Sequence, residues 1–336
     1  MRKKFDFNDF TIIPETVSSI NSRAQVDETY FGKLPLMVSP MDTVIDKENI
    51  ELFHKLGFIP CVPRGCQIGG YYNHFKSISL EDFENMVEYG LDFPGKLLVD
   101  VANGHMDKLH SLCEKFLSFS NHTELMVGNI ANPETYRKFA EIGVSYVRVG
   151  IGGGSGCLTS ANLGVHYPVA SLINECYDIK VQYNYKTKIV ADGGFRNYDE
   201  IIKALVLGAD YVMLGGILNK TLESCAKTKL FNLIPLPKQF AVKMWDYFPK
   251  LRKYFYKDFR GMSTKEVQKK WGKDKLKTSE GIKKTNKVEY KLGQWTENFR
   301  DYLKSAMSYT NSKNLESFKE SQIVFINDNA RKRFAK

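Results

Sequence analysis

The sequence predicts a (β/α)8 TIM barrel with a C-terminal flap, and three observations carry that prediction. Short apolar, β-branched runs recur over residues 34–216, helical patterns follow most of them, and glycines and acids collect where the runs end. Buried parallel strands read as near-continuous apolar runs because both their faces are covered. Eight such runs alternating with helices close into a barrel more naturally than they form an open sheet.

In chain order the runs are LPLMVS (34–39), FIPCVP (58–63), the weaker HFKSIS (74–79), KLLVDVA (96–102), ELMVGNI (124–130), YVRVGI (146–151), TKIVADGG (187–194) and YVMLGG (211–216). Between them LEDFENMVEYG, HMDKLHSLCEKFLSF, NPETYRKFAEIG, PVASLINECY and NYDEIIKALVLGA space apolar residues by three and four. In NPETYRKFAEIG, Asn132 is placed to cap, Pro133 suits the first turn, Tyr136, Phe139 and Ala140 share a face, and Gly143 ends the helix. After Gly216 the texture turns Lys-rich and aromatic with no clear strand pattern, which predicts a flap at about 263–285 followed by a helix over QWTENFRDYLKSAMSYT. Residues 1–336 are read as one domain.

No run reaches the roughly 18 apolar residues that span a bilayer, so a cytoplasmic protein without a membrane partner is expected. The six cysteines show neither paired nor zinc-type spacing, which predicts free thiols. The net charge of +10 is uneven: residues 1–237 hold 23 Lys and Arg against 27 acids, and residues 238–336 hold 25 against 11. No nucleic-acid motif accompanies the basic third, so nucleic acid is not an expected partner. A solvated surface or a field attracting phosphorylated small molecules remains.

In a barrel the strand C-termini share one face. That brings together Ser39, Met41, Asp100, Asn129, the loop from Gly150 to Thr159, Asp192 to Gly194, Gly215 and Gly216. Glycines in ADGG and LGG let backbone N–H groups approach an anion with no Cβ in the way, as barrel phosphate sites require. Asp192 either accepts two ribose hydroxyls or caps its turn. Cys157, in RVGIGGGSGCLTS, is either a nucleophile on a glycine-rich loop or a small loop residue, and the other five cysteines read as core or surface.

These segments together resemble the IMP dehydrogenase and GMP reductase family along nearly the whole chain. FDFNDFTIIP, VSPMDTV, DVANGH, VGNIANPE, VRVGIGGGSGCLT, GVHYP, VADGGFRN, GADYVMLGG, FRGMS, SEG and SAMSYTNSKNLESF occur in the family's order. The resemblance implies that Cys157 attacks C2 of a purine nucleotide, forming a thioimidate, while a nicotinamide exchanges hydride at that carbon. It places the nucleotide phosphate on Ser155, Gly193, Gly194, Gly215 and Gly216, the ribose on Asp192, and the base near Ser39, Met41, Asn129, Met262 and Ser263. It adds Lys277 and Ser279 from the flap, and the cofactor on Asp100, Ala102, Asn103, Gly104 and Gly150. A potassium ion held by the carbonyls of Gly152, Gly154 and Cys157, and a homotetramer, are further implications.

Within the family the chain looks like the reductase branch. Only 32 residues separate Pro63 from Lys96, which leaves no space for the paired CBS modules that dehydrogenases usually insert, and the flap lacks their Arg-Tyr pair. The resemblance then implies NADPH as cofactor, GMP and IMP as substrate and product, and Thr159 with Glu280 handling the departing ammonia. The alternatives are an NAD-dependent IMP dehydrogenase without CBS modules, and a purine-nucleotide-binding interaction protein. The chain departs from the family over residues 64–79, which are shortened, so that the second barrel helix is expected to be missing or reduced. Arginine also follows strand two in CVPRG where the family has histidine, and Lys277 stands for an arginine, keeping the charge without the bidentate fork.

Overall fold

The computed structural model describes residues 3–66, 73–154, 156–270 and 281–334. An N-terminal strand β1 (Phe10–Ile12) precedes the barrel elements: β2 (Leu36–Val38), α1 (Ile50–Lys55), β3 (Ile59–Val62), β4 (Phe75–Ile78), α2 (Leu80–Glu88), β5 (Gly95–Asp100), α3 (Asp107–Leu117), β6 (Thr123–Ile130) and α4 (Pro133–Glu141). There follow β7 (Tyr146–Val149), α5 (Thr159–Leu163), α6 (Val169–Gln182), β8 (Lys188–Asp192), α7 (Tyr198–Val206), β9 (Tyr211–Leu214) and α8 (Gly216–Asn219). Strands β2 to β9 pair in parallel and in order, and β2 closes on β9 through Leu36↔Val212 and Met37↔Met213. All eight runs expected to be strands are strands of this closed barrel, and no CBS-type insertion interrupts it.

Period-two alternation decides which side chains fill the barrel. Met37, Cys61, Phe75, Leu98, Met126, Val190 and Met213 pack together inside it, while Leu36, Val38, Leu97, Val99, Val147 and Val149 pack with the helices outside. Helix α4 shows how the outer layer is fixed. Asn132 caps it by accepting from the Glu134 amide, Pro133 opens it, and Tyr136, Phe139 and Ala140 are buried. An aromatic buried to that degree contributes about 2–3 kcal/mol. Gly143 then takes φ +83, a left-handed conformation that stops the helix at little cost.

Residues after Gly216 depart from the expectation of a strandless flap. Strands β10 (Thr228–Leu230), β11 (Ile234–Leu236), β12 (Phe255–Arg260) and β13 (Lys283–Lys287) form an antiparallel sheet in the order β11-β10-β12-β13, with α9 (Lys238–Tyr247) and α10 (Lys265–Lys270) between its strands. The pattern was hidden because KKTNK carries no apolar alternation and because Lys257 occupies a buried position of β12 between Phe255 and Phe259. Its ammonium donates to the carbonyls of Ser224 (2.5 Å) and Ala226 (3.3 Å), and burial pushes its pKa down to about 7. Helix α11 (Leu292–Tyr309) follows as expected, and β14 (Ile323–Phe325) pairs with β1, tying the two ends of the chain together. Between β3 and β4 no described residue is helical.

At the end of the barrel opposite the strand C-termini, Asp210 is fully buried just before β9. It accepts from Lys180 (2.6 Å), Lys319 (2.8 Å) and the Ile189 amide (2.8 Å). Burial opposes its charge, but the lysines outweigh that and hold its pKa below the ordinary carboxylate range. A depressed folded-state pKa adds stability above the unfolded value near pH 4, and that stability is lost as pH falls through the folded value. Asp210→Asn should therefore lower the unfolding free energy at neutral pH by about 3 kcal/mol or more in urea titrations, with the gap narrowing in acid. Equal midpoints at neutral pH would refute this account of the cluster.

Candidate active site

The C-terminal ends of the barrel strands surround a cavity of about 1370 Å³. Ser39 and Met41 enter it after β2, Asp100, Ala102 and Asn103 from the end of β5, Asn129 from β6, and Gly150, Gly152, Gly154, Cys157 and Thr159 from the loop after β7. Asp192, Gly193 and Gly194 follow from β8, Gly215 and Gly216 from β9, and Met262 and Ser263 from the segment after β12. Gly104 does not line the cavity. Its amide bonds the Asn129 carbonyl at 2.8 Å, and a Cβ there would meet that oxygen at 2.8 Å, so its smallness serves packing beneath the strand ends. Ser155, Lys277, Ser279 and Glu280 lie outside the described residues.

Close backbone approach explains the glycines that matter most. Gly194 has φ +75, and a Cβ on it would lie 1.9 Å from the Gly153 oxygen. Gly150 has φ +131, and a Cβ there would lie 2.0 Å from the Asp192 oxygen. Both contacts press the β7 and β8 loops together, which no side chain would allow. The result is a run of bare backbone on one wall of the cavity, the chemistry that receives an anion.

Cys157 is the one cysteine of the six on this cavity. Its Sγ–H donates to Thr159 Oγ1 at 3.1 Å, with α5 beginning at that threonine. Burial raises the thiols of Cys61, Cys66, Cys113, Cys176 and Cys225, the last to about 12, which keeps them in the unreactive thiol form. The segment around the flap is fastened to the cysteine loop by backbone bonds. Cys157 bridges Gly281, the Ile282 amide donates to Gly156 at 3.0 Å, and the Gly261 amide donates to Ile282 at 3.0 Å.

Sequence reasoning missed the charged group at the floor of this site. Arg148 lies between outward Val147 and Val149 on β7, so alternation turns it into the barrel, where it is buried. Its Nη1 donates to Asp100 (2.7 Å) and its Nη2 to Asp192 (2.7 Å), while Nε finds no hydrogen-bond acceptor among the described residues. Burial opposes its charge, and the carboxylates of Asp192 and Asp100 raise its pKa despite that. Asn129 Nδ2 adds a bond to Asp192 (2.8 Å), and Arg64 approaches Asp100 at 3.6 Å. The signal was available in the sequence as a lone arginine inside the apolar run YVRVGI. Asp192 thus has its orientation set by two donors, which favours an acceptor pointing into the cavity over a simple turn cap.

Comparison with known proteins agrees with this geometry. The family model for the IMP dehydrogenase / GMP reductase domain matches residues 74–235, which include the Cys157 loop and the glycine ends of β8 and β9. The GMP reductase of Ascaris suum is 30% identical over 252 residues, covering 64% of this chain and 67% of its own. That of Helicobacter pylori (strain G27) is 25% identical over 344 residues, covering 96% and 97%. That of Streptococcus suis (strain 05ZYH33) is 28% identical over 241 residues, covering 67% and 72%. With an eight-stranded barrel, a cysteine on the loop after its sixth strand, and matches that run through both, the chain belongs to the IMP dehydrogenase / GMP reductase family.

Proposed function

We propose that this protein reduces GMP to IMP with release of ammonia. Family membership makes it an oxidoreductase acting on a purine nucleotide with a nicotinamide cofactor. The observation that carries the finer reading is the pairing of Cys157 with Thr159 at 3.1 Å, on a cavity walled by Asp192 and bare glycine backbone. A nucleotide seated with its phosphate on Gly193, Gly194, Gly215 and Gly216 and its ribose on Asp192 would present its base toward Ser39, Met41 and the thiol. The backbone donors then bind without reorganisation.

Cys157 gives its proton to the Thr159 side and its sulfur adds to C2 of the purine, the C2–N3 π pair moving onto N3, which takes a proton and returns the pair when the amine leaves. Thr159 and Glu280 protonate the exocyclic amine, the C2–N2 bond breaks, and ammonia leaves. When bound, the nicotinamide supplies hydride to C2. The C–S bond then breaks, returning the thiolate, so that GMP, reduced cofactor and two protons yield IMP, oxidised cofactor and ammonium. Room for the cofactor is consistent with a cavity of about 1370 Å³, since single small ligands occupy pockets of roughly 300–1,000 Å³. Asp100, Ala102, Asn103 and Gly150 would hold it on that side.

The same reading makes NADPH the reductant and a homotetramer the assembly. Potassium would share the carbonyls of Gly152 and Gly154, which already accept from Ser160 Oγ (3.0 Å) and the Cys157 amide (2.9 Å), through their second lone pairs, together with the carbonyl of Cys157. The deciding assay follows nicotinamide absorbance with GMP plus NADPH beside IMP plus NAD. Loss of NADPH with IMP and ammonia appearing is the expected result. Formation of XMP from IMP and NAD, with no reaction of GMP, would overturn it in favour of a dehydrogenase.

A further inference from the structure

We propose that the lobe formed by residues 227–260 docks on an anionic lipid surface, a partner the sequence did not lead us to expect. The lobe buries Leu230, Ala241, Trp245 and Phe255 in a core of its own. Its outer side is apolar as well. The turn from β10 to β11 places Phe231 (φ +52) and Asn232 (φ +60) in the left-handed region, and the chain beyond it leaves Leu233 81% and Ile234 54% exposed. On α9, Ala241 and Trp245 face the core, while Phe240 and Tyr247, seven residues apart and so on one flank, are 54% and 78% exposed. Single exposed apolar residues need no explanation, but six large ones on one small lobe, Phe231 and Phe248 included, mark an interaction surface.

Charge identifies the partner. Residues 227–260 carry nine Lys and Arg against two Asp; Lys257 is buried and Lys229, Lys238 and Arg260 are paired with Asp258, Glu48 and Asp42, which leaves Lys227, Lys243, Lys250, Arg252 and Lys253 without an ion pair among the described residues. Lys243 and Lys250 are exposed and make no ion pair among the described residues. Basic side chains around aliphatic tips match anionic headgroups above acyl chains. The same lobe of a second copy would bring like charges together. Strand addition at the β11 edge meets Pro235, which has no N–H to donate. Single-stranded nucleic acid could stack on the exposed Phe231, Phe240, Tyr247 and Phe248 but gives the aliphatic tip of Leu233 and Ile234 no partner, whereas acyl chains take both. No helix among the described residues is long and apolar enough to cross a membrane, so the contact is peripheral.

The test is flotation of the full chain with phosphatidylcholine vesicles, with and without about one quarter phosphatidylserine. Binding is expected only with phosphatidylserine and should weaken with salt. Leu233→Glu should weaken it at least about tenfold. Lys243→Glu and Lys250→Glu should each weaken it about fivefold or more. Nucleotide turnover and thermal midpoints should be unchanged in all three variants. Absence of binding to phosphatidylserine vesicles at low salt, or equal binding by Leu233→Glu, would overturn the proposal. So would a fall in molar mass by light scattering in Leu233→Glu, which would make the lobe a contact between copies, or binding to RNA in place of lipid.

Discussion

Cys157→Ala is expected to lower turnover of GMP by about 10⁴ or more while leaving nucleotide affinity within a few-fold. The sulfur is the atom that would form and later break the bond to C2, and the other five thiols lie away from the cavity. Removing Sγ therefore removes the covalent route, not a fraction of it. In the proposed seating, nucleotide binding would rest on other atoms, the backbone of Gly193, Gly194, Gly215 and Gly216 and the carboxylate of Asp192, and these should persist. Thr159→Ala should cost less, about 10² to 10³, because its hydroxyl assists proton movement and does not form the bond to carbon. Nicotinamide absorbance gives turnover and titration calorimetry with GMP gives affinity. Turnover retained by Cys157→Ala would end the covalent reading, and affinity lost in step with turnover would show that the residue builds the pocket.

The barrel was legible because its strands are buried on both faces. Runs such as KLLVDVA and YVMLGG state in sequence what β5 and β9 do in space, and Gly194, at the end of TKIVADGG, is required because a Cβ on it would lie 1.9 Å from the Gly153 oxygen. The antiparallel sheet after Gly216 was not legible, since β10 and β12 pair across 25 or more residues and Lys257 fills a position where an apolar residue would have shown the alternation. Gly104 sits in DVANGH beside cavity residues, and its contact with the Asn129 carbonyl, made across two strands, is not written in that motif. Arg148 was missed because its role needs Asp100 and Asp192, residues 48 and 44 positions away, to be brought to it by the barrel.

Arg148→Met is expected to lower stability by about 3–5 kcal/mol and to raise the KM for nucleotide more than it lowers kcat. Two carboxylates lean on one buried guanidinium, so removing it leaves Asp192 without its ion pair and Asp100 with Arg64 at 3.6 Å, in a cavity floor that is four-fifths shielded from water. Asp192 would keep only Asn129 as donor and lose the direction in which it faces the cavity. Arg148→Lys separates charge from geometry. Lysine restores a cation but not two donors in a fixed fork, so it can serve Asp100 or Asp192 but not both at 2.7 Å. Stability should recover in large part with lysine, whereas the KM should stay raised. Because Asp100 stands on the proposed cofactor side and Asp192 on the nucleotide side, the arginine touches both proposed half-sites, as Asn129 does through Gly150 and Asp192. A double-mutant cycle of Arg148→Met with Asp100→Asn should therefore show coupling in the nucleotide KM as well as in urea midpoints. Full recovery of KM by Arg148→Lys, or additive effects in the cycle, would reduce the arginine to a neutralising charge.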